Sequence, residues 1–249
     1  MSFANFIRIF TIFLSLNHCY CENFLQDLGI SKENSFIHYL NNKKFTELES
    51  KVLNFVENSG CSKEKTKLLM ELTLFHKPNV CVEIGTFSGH SAIPVMSVLK
   101  LLKNGKMYII EPWSNFEATK GLDPSDPQTQ WWRSVNLKKA KSKFLKTIKK
   151  WDLESICKIV ETSSLKAVDK IPEIDFLHID GNCSEEGALN DTQLYLKKVH
   201  QGGYILISSI LYSDNHKPTK MKSLFPIFAE CEIISEIENG NIILFKKIR

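Results

Sequence analysis

Charge of one sign is scarce in this 249-residue chain. Its 32 Lys and Arg stand against 28 Asp and Glu, a formal charge of +4. So mild a surplus gives no ground to expect a nucleic-acid partner, which calls for a clustered basic surface. Long apolar runs are missing beyond the first residues, so no stable membrane insertion of the body is expected. Repeats and low-complexity segments are absent. A disulfide framework is also lacking: of seven cysteines, five follow residue 21, an odd number with no telling spacing. Reduced thiols are expected, with Cys81, Cys157 and Cys231 serving as small hydrophobes in or beside strands. What is present, 43% hydrophobic and 24% charged residues, is the composition of an ordinary globular domain with a sizeable core.

The N-terminus reads differently. "MSFANFIRIFTIFLSLNHCYC" has one Arg, an apolar run from Ile9 to Leu16, and small residues at Cys19 and Cys21. That pattern resembles a secretory signal peptide cleaved after Cys21. The alternative is an uncleaved apolar helix packed on a cytoplasmic protein. The expected layout is a signal at 1–21, a helical segment at 22–77 and an α/β domain at 78–249. Reduced cysteines behind an export signal would suit delivery into a host cytosol.

In "FTELESKVLNFVENSG" apolar residues recur at Phe45, Leu48, Val52, Phe55 and Val56, a helical spacing closed by Gly60. Ser62 can cap a second helix that Pro78 ends. From there strand and helix alternate. "NVCVEIG" reads as a strand buried on both faces. A crossover helix follows over 89–102, then a strand "GKMYIIEPW" and a long loop from Pro112 to Trp132, rich in Pro, Asp and aromatics. In "VNLKKAKSKFLKTIKKW" the apolar stripe is expected at Leu137, Lys141, Phe144, Ile148 and Trp151. The remaining lysines form a solvated face or one that meets an acidic partner. "SICKIVET", "IDFLHID" and "GGYILISS" supply three more strands. Asn-Gly in "ENG", between apolar-alternating runs, signals a C-terminal hairpin.

The turn "VEIGTFSGHS" follows the first of these strands. A glycine turn between strand and helix makes a ligand cradle. Its spacing is Gly-x-x-x-Gly, with Thr86 where a dinucleotide motif has its second glycine, so NAD is disfavoured. No Gly-Lys-Ser/Thr follows, which excludes a P-loop. Glu-x-Gly-x-x-x-Gly with an acid ending the next strand resembles the class I S-adenosylmethionine-dependent methyltransferases. "VEIGTFSGHSAI" and "IDFLHIDGNCSEEGALNDTQLYLKKVHQGGYILISS" resemble their family-24 and catechol-O-methyltransferase-like branches.

That resemblance implies a Rossmann-like, doubly wound seven-stranded sheet, mostly parallel, its last strand antiparallel in the C-terminal hairpin, with N-terminal helices. It implies S-adenosylmethionine as cofactor and a small-molecule hydroxyl or amine as methyl acceptor; a homodimer is compatible with it. Gly85 would admit the amino-acid part of the cofactor, beside Thr86 and Phe87, and Gly89 the helix entry. Ser91 would bond the methionine carboxylate, and Glu83 would approach the ammonium. Glu111, followed by Pro112, would accept from both ribose hydroxyls, and Ser163 and Ser164 would meet the adenine. Family members often carry Asp-Gly-Asn-His and an acidic pair that holds magnesium. Here Cys183 replaces the His, and Ser208 and Ser209 replace the acids, so no metal is expected. A general base is then wanted. Asp180 is the first candidate, also placed beside the cofactor. His178, on the same strand face, and His216, after the fifth strand, are the others. Trp113, Trp131 and Trp132 would either form a lid over the acceptor or anchor the long loop. Missing acids leave open a cofactor-binding protein that is catalytically idle or that acts as an exported effector on a host protein.

Overall fold

The computed structural model describes residues 43–249; the expected signal peptide and the start of the helical segment lie outside them. The elements run α1 (Lys43–Val56), α2 (Lys63–His76), β1 (Val80–Ile84), α3 (Ala92–Leu102) and β2 (Lys106–Ile110). Next come α4 (Asn115–Thr119), α5 (Pro127–Ser134), α6 (Leu137–Lys150), β3 (Cys157–Val160), α7 (Ser164–Ala167) and β4 (Ile174–Ile179). Then follow α8 (Glu185–Leu196), β5 (Val199–Ile207), β6 (Ser213–Asp214), β7 (Lys217–Pro218), α9 (Leu224–Glu230), β8 (Cys231–Ile237) and β9 (Ile242–Lys247).

Seven strands form one sheet in the order β3-β2-β1-β4-β5-β9-β8. All neighbours are parallel except around β9, which runs antiparallel to both β5 and β8. The expected α/β architecture, including the reversed strand of the C-terminal hairpin, is what is observed. Strand order reverses between β1 and β4, and the crevice beyond their C-terminal ends is where open α/β sheets bind ligands.

The sheet is covered on both faces, which is why its central strands are apolar throughout. On one face α3 and α6 pack Ile93, Met96, Leu99 and Phe144 against Met107, Ile109 and Phe176. On the other, Tyr195 and Leu196 of α8 and Leu224 and Ile227 of α9 meet Ile179, Ile205 and Phe245. α3 is buried almost all round because α1 and α2 cover its outer side, through Phe45, Val52, Met70 and Val98. α2 starts as expected: the Ser62 hydroxyl accepts the Lys65 N–H. Among the described residues no helix is long and apolar enough to cross a membrane. Cys61, Cys81, Cys157, Cys183 and Cys231 are all free thiols.

Three expectations need correction. The long loop is not irregular: Ser114 and Asp126 cap α4 and α5 within it, each accepting backbone N–H bonds in the first turn. The buried stripe of α6 runs through Leu137, Ala140, Phe144 and Ile148. Lys141 lies beside that stripe and pairs with Glu161 at 2.5 Å. Gly89, at φ +86°, does more than admit a helix. A Cβ there would lie 2.4 Å from Phe144 Cδ2, so its bareness lets α6 close on the turn. Gly89→Ala should destabilise by at least about 2 kcal/mol, since backbone strain and overpacking add. Urea unfolding checks this; a loss below about 0.5 kcal/mol would show that the turn relaxes freely.

Candidate active site

The C-terminal ends of β3, β2, β1, β4 and β5 open into one cleft of about 390 Å3. Five adjacent strand ends span roughly 19 Å at the usual strand spacing. Gly85, Phe87, Glu111 and Pro112 line it, as do Ser163, Ser164 and Asp180. Glu83, Thr86, Gly89 and Ser91 lie outside the wall. A second cavity, of about 560 Å3, sits at the far end of the sheet beside Lys100, Lys103 and Lys106 and holds none of the expected residues.

Glu111 ends β2 with its carboxylate turned onto the glycine turn. Oε2 accepts the N–H groups of Thr86 and Phe87 at 3.1 and 3.0 Å, and Oε1 that of Trp113 at 2.8 Å. Burial raises its pKa, and the three N–H bonds counter that only in part. A carboxylate has about four acceptor sites, so about one remains for a ligand. The amides of the turn thus face the neighbouring acid. Gly85, at φ +82°, also makes room within the protein itself. A Cβ there would meet the Asp180 carbonyl oxygen at 2.4 Å, so the glycine lets the turn after β4 close on β1.

Beneath the turn lies a buried polar chain. The Ser91 hydroxyl donates to Glu83 Oε1 at 2.5 Å, and His178 Nδ1 lies 2.7 Å from the same oxygen. His178 Nε2 is 2.9 Å from Ser208 Oγ. Glu83 and His178 are 0% and 1% exposed, and Glu83 Oε2 finds no hydrogen-bond partner. Ser91 is therefore engaged by Glu83 rather than presented to the cleft. Ser164 donates to Asp191, whose carboxyl burial pushes up to about 6.

Asp180 is the meeting point. Oδ2 takes the Lys65 ammonium at 2.8 Å and lies 3.7 Å from His178 Nε2, while Ser209 donates to Oδ1 at 3.3 Å. Burial by itself would raise the Asp180 pKa, but Lys65, then His178 and Lys220, outweigh it and hold it well below the usual carboxylate range. Burial opposes the charge on Lys65, yet Asp180 draws its pKa up. So firmly ionised a carboxylate is a weak proton acceptor, which counts against Asp180 as the general base. His178 is enclosed among protein groups. His216 is exposed at the tip of the β6–β7 hairpin, away from the cleft wall.

The tryptophans divide. Trp113 is an anchor: it is 8% exposed, donates Nε1–H to the Phe87 carbonyl at 2.7 Å and stacks near Phe144. Trp132 enters the cleft wall and meets Phe87 edge-on at 5.7 Å. Trp131 stands half exposed beside it, ring centroids 4.9 Å apart. Sequence reasoning missed Lys65 and Lys220. The latter is 1% exposed and donates to the Ser208 carbonyl at 2.9 Å. The available signal was indirect: with neutral serines at 208 and 209, some other cation had to balance Asp180.

A family model described as "Methyltransferase domain" matches residues 82–210, just over half of the chain. No curated protein matches. Among solved structures, an O-methyltransferase of tomaymycin synthesis from Streptomyces achromogenes, in complex with SAM, is 14% identical. Its TM-score is 0.56, with 82% of this chain and 90% of that one covered. A methyltransferase from Podospora anserina, bound to SAH, is 12% identical, with TM-score 0.56 and 100% and 97% covered. An O-methyltransferase from Bacillus cereus in complex with SAH is 14% identical, with TM-score 0.52 and 91% and 96% covered. At such identities the likeness is one of fold.

Lys65→Met should cost about 3 kcal/mol, because it strands a largely buried carboxylate. A depressed pKa stabilises the fold above the unfolded value near 3.8, and that stability is lost as pH falls. The gap between wild type and variant should hold from about pH 5 to 8 and narrow below about pH 4. Urea midpoints across pH read this, and a gap independent of pH would refute the ion pair.

Proposed function

The chain belongs to this methyltransferase-domain family, and from that premise we propose that it moves a methyl group from S-adenosylmethionine to a small-molecule hydroxyl. The observation that carries the proposal is the single cleft joining Glu111 and Ser163 at one side to Asp180 and Tyr212 at the other. Its residues fit the cofactor. Glu111 keeps about one acceptor site for a ribose hydroxyl. Ser163, whose hydroxyl makes no capping bond, stands at the end of β3 for the base.

The cofactor supplies an electrophilic methyl group on a sulfonium, and the protein's task is alignment and exclusion of water. Phe87 and Trp132 give the cleft an apolar side. Asp180, held ionised by Lys65, accepts a hydrogen bond from the incoming hydroxyl and sets its direction. It is too weak a base to remove the proton of an alcohol. The acceptors that suit this site are therefore hydroxyls that ionise readily, such as phenols and enols.

A divalent metal does not fit beside Asp180. Magnesium needs several oxygens. Here Asp180 is taken by Lys65 and Ser209, Ser208 Oγ by His178, and the Ser208 carbonyl by Lys220. An ion would have to displace an ammonium, so no step is routed through a metal.

Calorimetry with S-adenosylhomocysteine tests the reading. Wild type should bind, and Glu111→Ala should weaken binding at least about tenfold. No binding by wild type would overturn it. With phenolic acceptors, turnover should be indifferent to added magnesium, and strict dependence on magnesium would refute the metal-free site. Asp180→Asn should keep most of kcat at high pH while raising KM, as expected of an aligning group. A loss of kcat of about a thousandfold with unchanged KM would restore Asp180 as the base.

A further inference from the structure

At the end of the sheet opposite the cleft, three side chains of metal-ligand chemistry converge. His76 is the last residue of α2, Asp175 the second of β4 and His200 the second of β5. One donor atom from each lies within 4.8 Å of the others, and all three residues are partly buried. Asp175 and His200 come from strands that the sheet order makes neighbours, and His76 meets them from the end of α2, so the cluster sits on regular elements rather than on a flexible loop.

The hydrogen bonds around the cluster are those of a ligand set held ready. Asp175 Oδ2 accepts the N–H groups of Asn79 and Val80, both at 2.8 Å, which fixes the carboxylate and turns Oδ1 toward His200. His200 Nδ1 lies 2.6 Å from the Gln201 carbonyl oxygen, which can only accept, so that nitrogen carries a proton. His200 Nε2 then stands 2.7 Å from Asp175 Oδ1, another acceptor. A neutral ring has a lone pair there, so the contact needs either a second proton or a cation between the two atoms. His76 completes the cluster. Its Nε2 is 3.2 Å from the Asp175 carbonyl oxygen, so by the same reasoning that nitrogen carries the proton and Nδ1 keeps the lone pair; the ring packs edge-on to Tyr204 at 4.8 Å. Lys246, with its ammonium 5.8 Å from the centre of the Tyr204 ring, is the nearby opposing charge.

We propose that His76, Asp175 and His200 bind a zinc ion that clamps α2 to β4 and β5. Two imidazoles and one carboxylate are a borderline-soft set that favours zinc over magnesium or calcium. A ring N–H fixed on a backbone carbonyl and a carboxylate oriented by amides are the supports that metal ligands use. Zinc at about 2.0–2.1 Å from each donor holds tetrahedral ligands about 3.3 Å apart. The His200–Asp175 pair opens by roughly half an ångström to admit it, and water takes the fourth position. The site stands apart from the methyl-transfer cleft and does not depend on that function.

The test uses the full chain, untagged and stripped of metal by dialysis against a chelator. Zinc is then titrated in competition with a chromophoric chelator. Wild type should take up one ion with Kd of about 1 µM or tighter, and the His76→Gln/His200→Gln variant should bind at least about a hundredfold more weakly. Cobalt(II) should give the visible bands of a tetrahedral site in wild type and lose them in the variant. Thermal melting controls for folding: without metal the variant should still melt in one cooperative step, and zinc should raise only the wild-type midpoint. Wild-type affinity weaker than about 100 µM, or equal binding by the variant, would overturn the proposal and leave a His–Asp ion pair.

Discussion

The candidate site depends on one ion pair, Lys65 with Asp180. It joins the first turn of α2 to the C-terminal end of the strand at the centre of the sheet. Asp180 is fixed from both directions: its backbone N–H donates to the Ile84 carbonyl at 2.9 Å, and its own carbonyl lies against Gly85. Lys65 is placed with equal economy, because its N–H is the one that the Ser62 cap accepts. A helix cap, a bare glycine and a strand end thus converge on one carboxylate. Removing either charge would leave the other largely buried without its partner, and such stranding costs far more than an exposed pair is worth.

Around that pair, serine hydroxyls link the charged and titratable groups. Ser208 and Ser209 meet His178 and Asp180 through hydroxyls, and Ser91 meets Glu83. The result is a connected polar chain under an apolar sheet, nearly all of it satisfied within the protein; Glu83 Oε2 is the exception. Such a network is rigid when complete. Positions that carry acids in the metal-dependent pattern hold serines here, while a lysine from a different part of the chain supplies the positive charge.

Much of the fold was legible because the governing signals are local. Apolar runs after Pro78, the Ser62 cap and Asn-Gly before the last strand each report on their own neighbourhood. So did the glycine turn and Glu111: Gly85, Phe87 and Glu111 fall on the cleft, while Thr86 and Gly89 do not. What sequence could not show were contacts set by tertiary approach. Nothing local marks Lys65 among the lysines near the start of its helix, and only the packing of α2 over α3 brings it to Asp180. The need for glycine at 85 and 89 was visible, but the reasons, the Asp180 carbonyl and the Phe144 ring, were not. The short helices α4 and α5 were hidden in a stretch rich in Pro and Asp because their capping residues are also turn formers. Trp113, Trp131 and Trp132 were read together, yet Trp113 is an anchor and helical geometry turns Trp131 out and Trp132 inward.

The strand order also governs how the chain can fold. β8 and β9 are joined by a few residues and can pair locally, whereas β1 must find β4 across some ninety residues of intervening chain. Long-range parallel pairing is slow, and strand edges left open in the meantime invite wrong partners. β9 lies between β5 and β8, so the edge of β5 is covered only by residues 242–247. Among the described strands, the one that seals the sheet is made after all the others. Until residues 242–247 pair, the apolar edge of β5 stays open, which makes this strand, far in sequence from the glycine turn, the step that commits the domain to its native form.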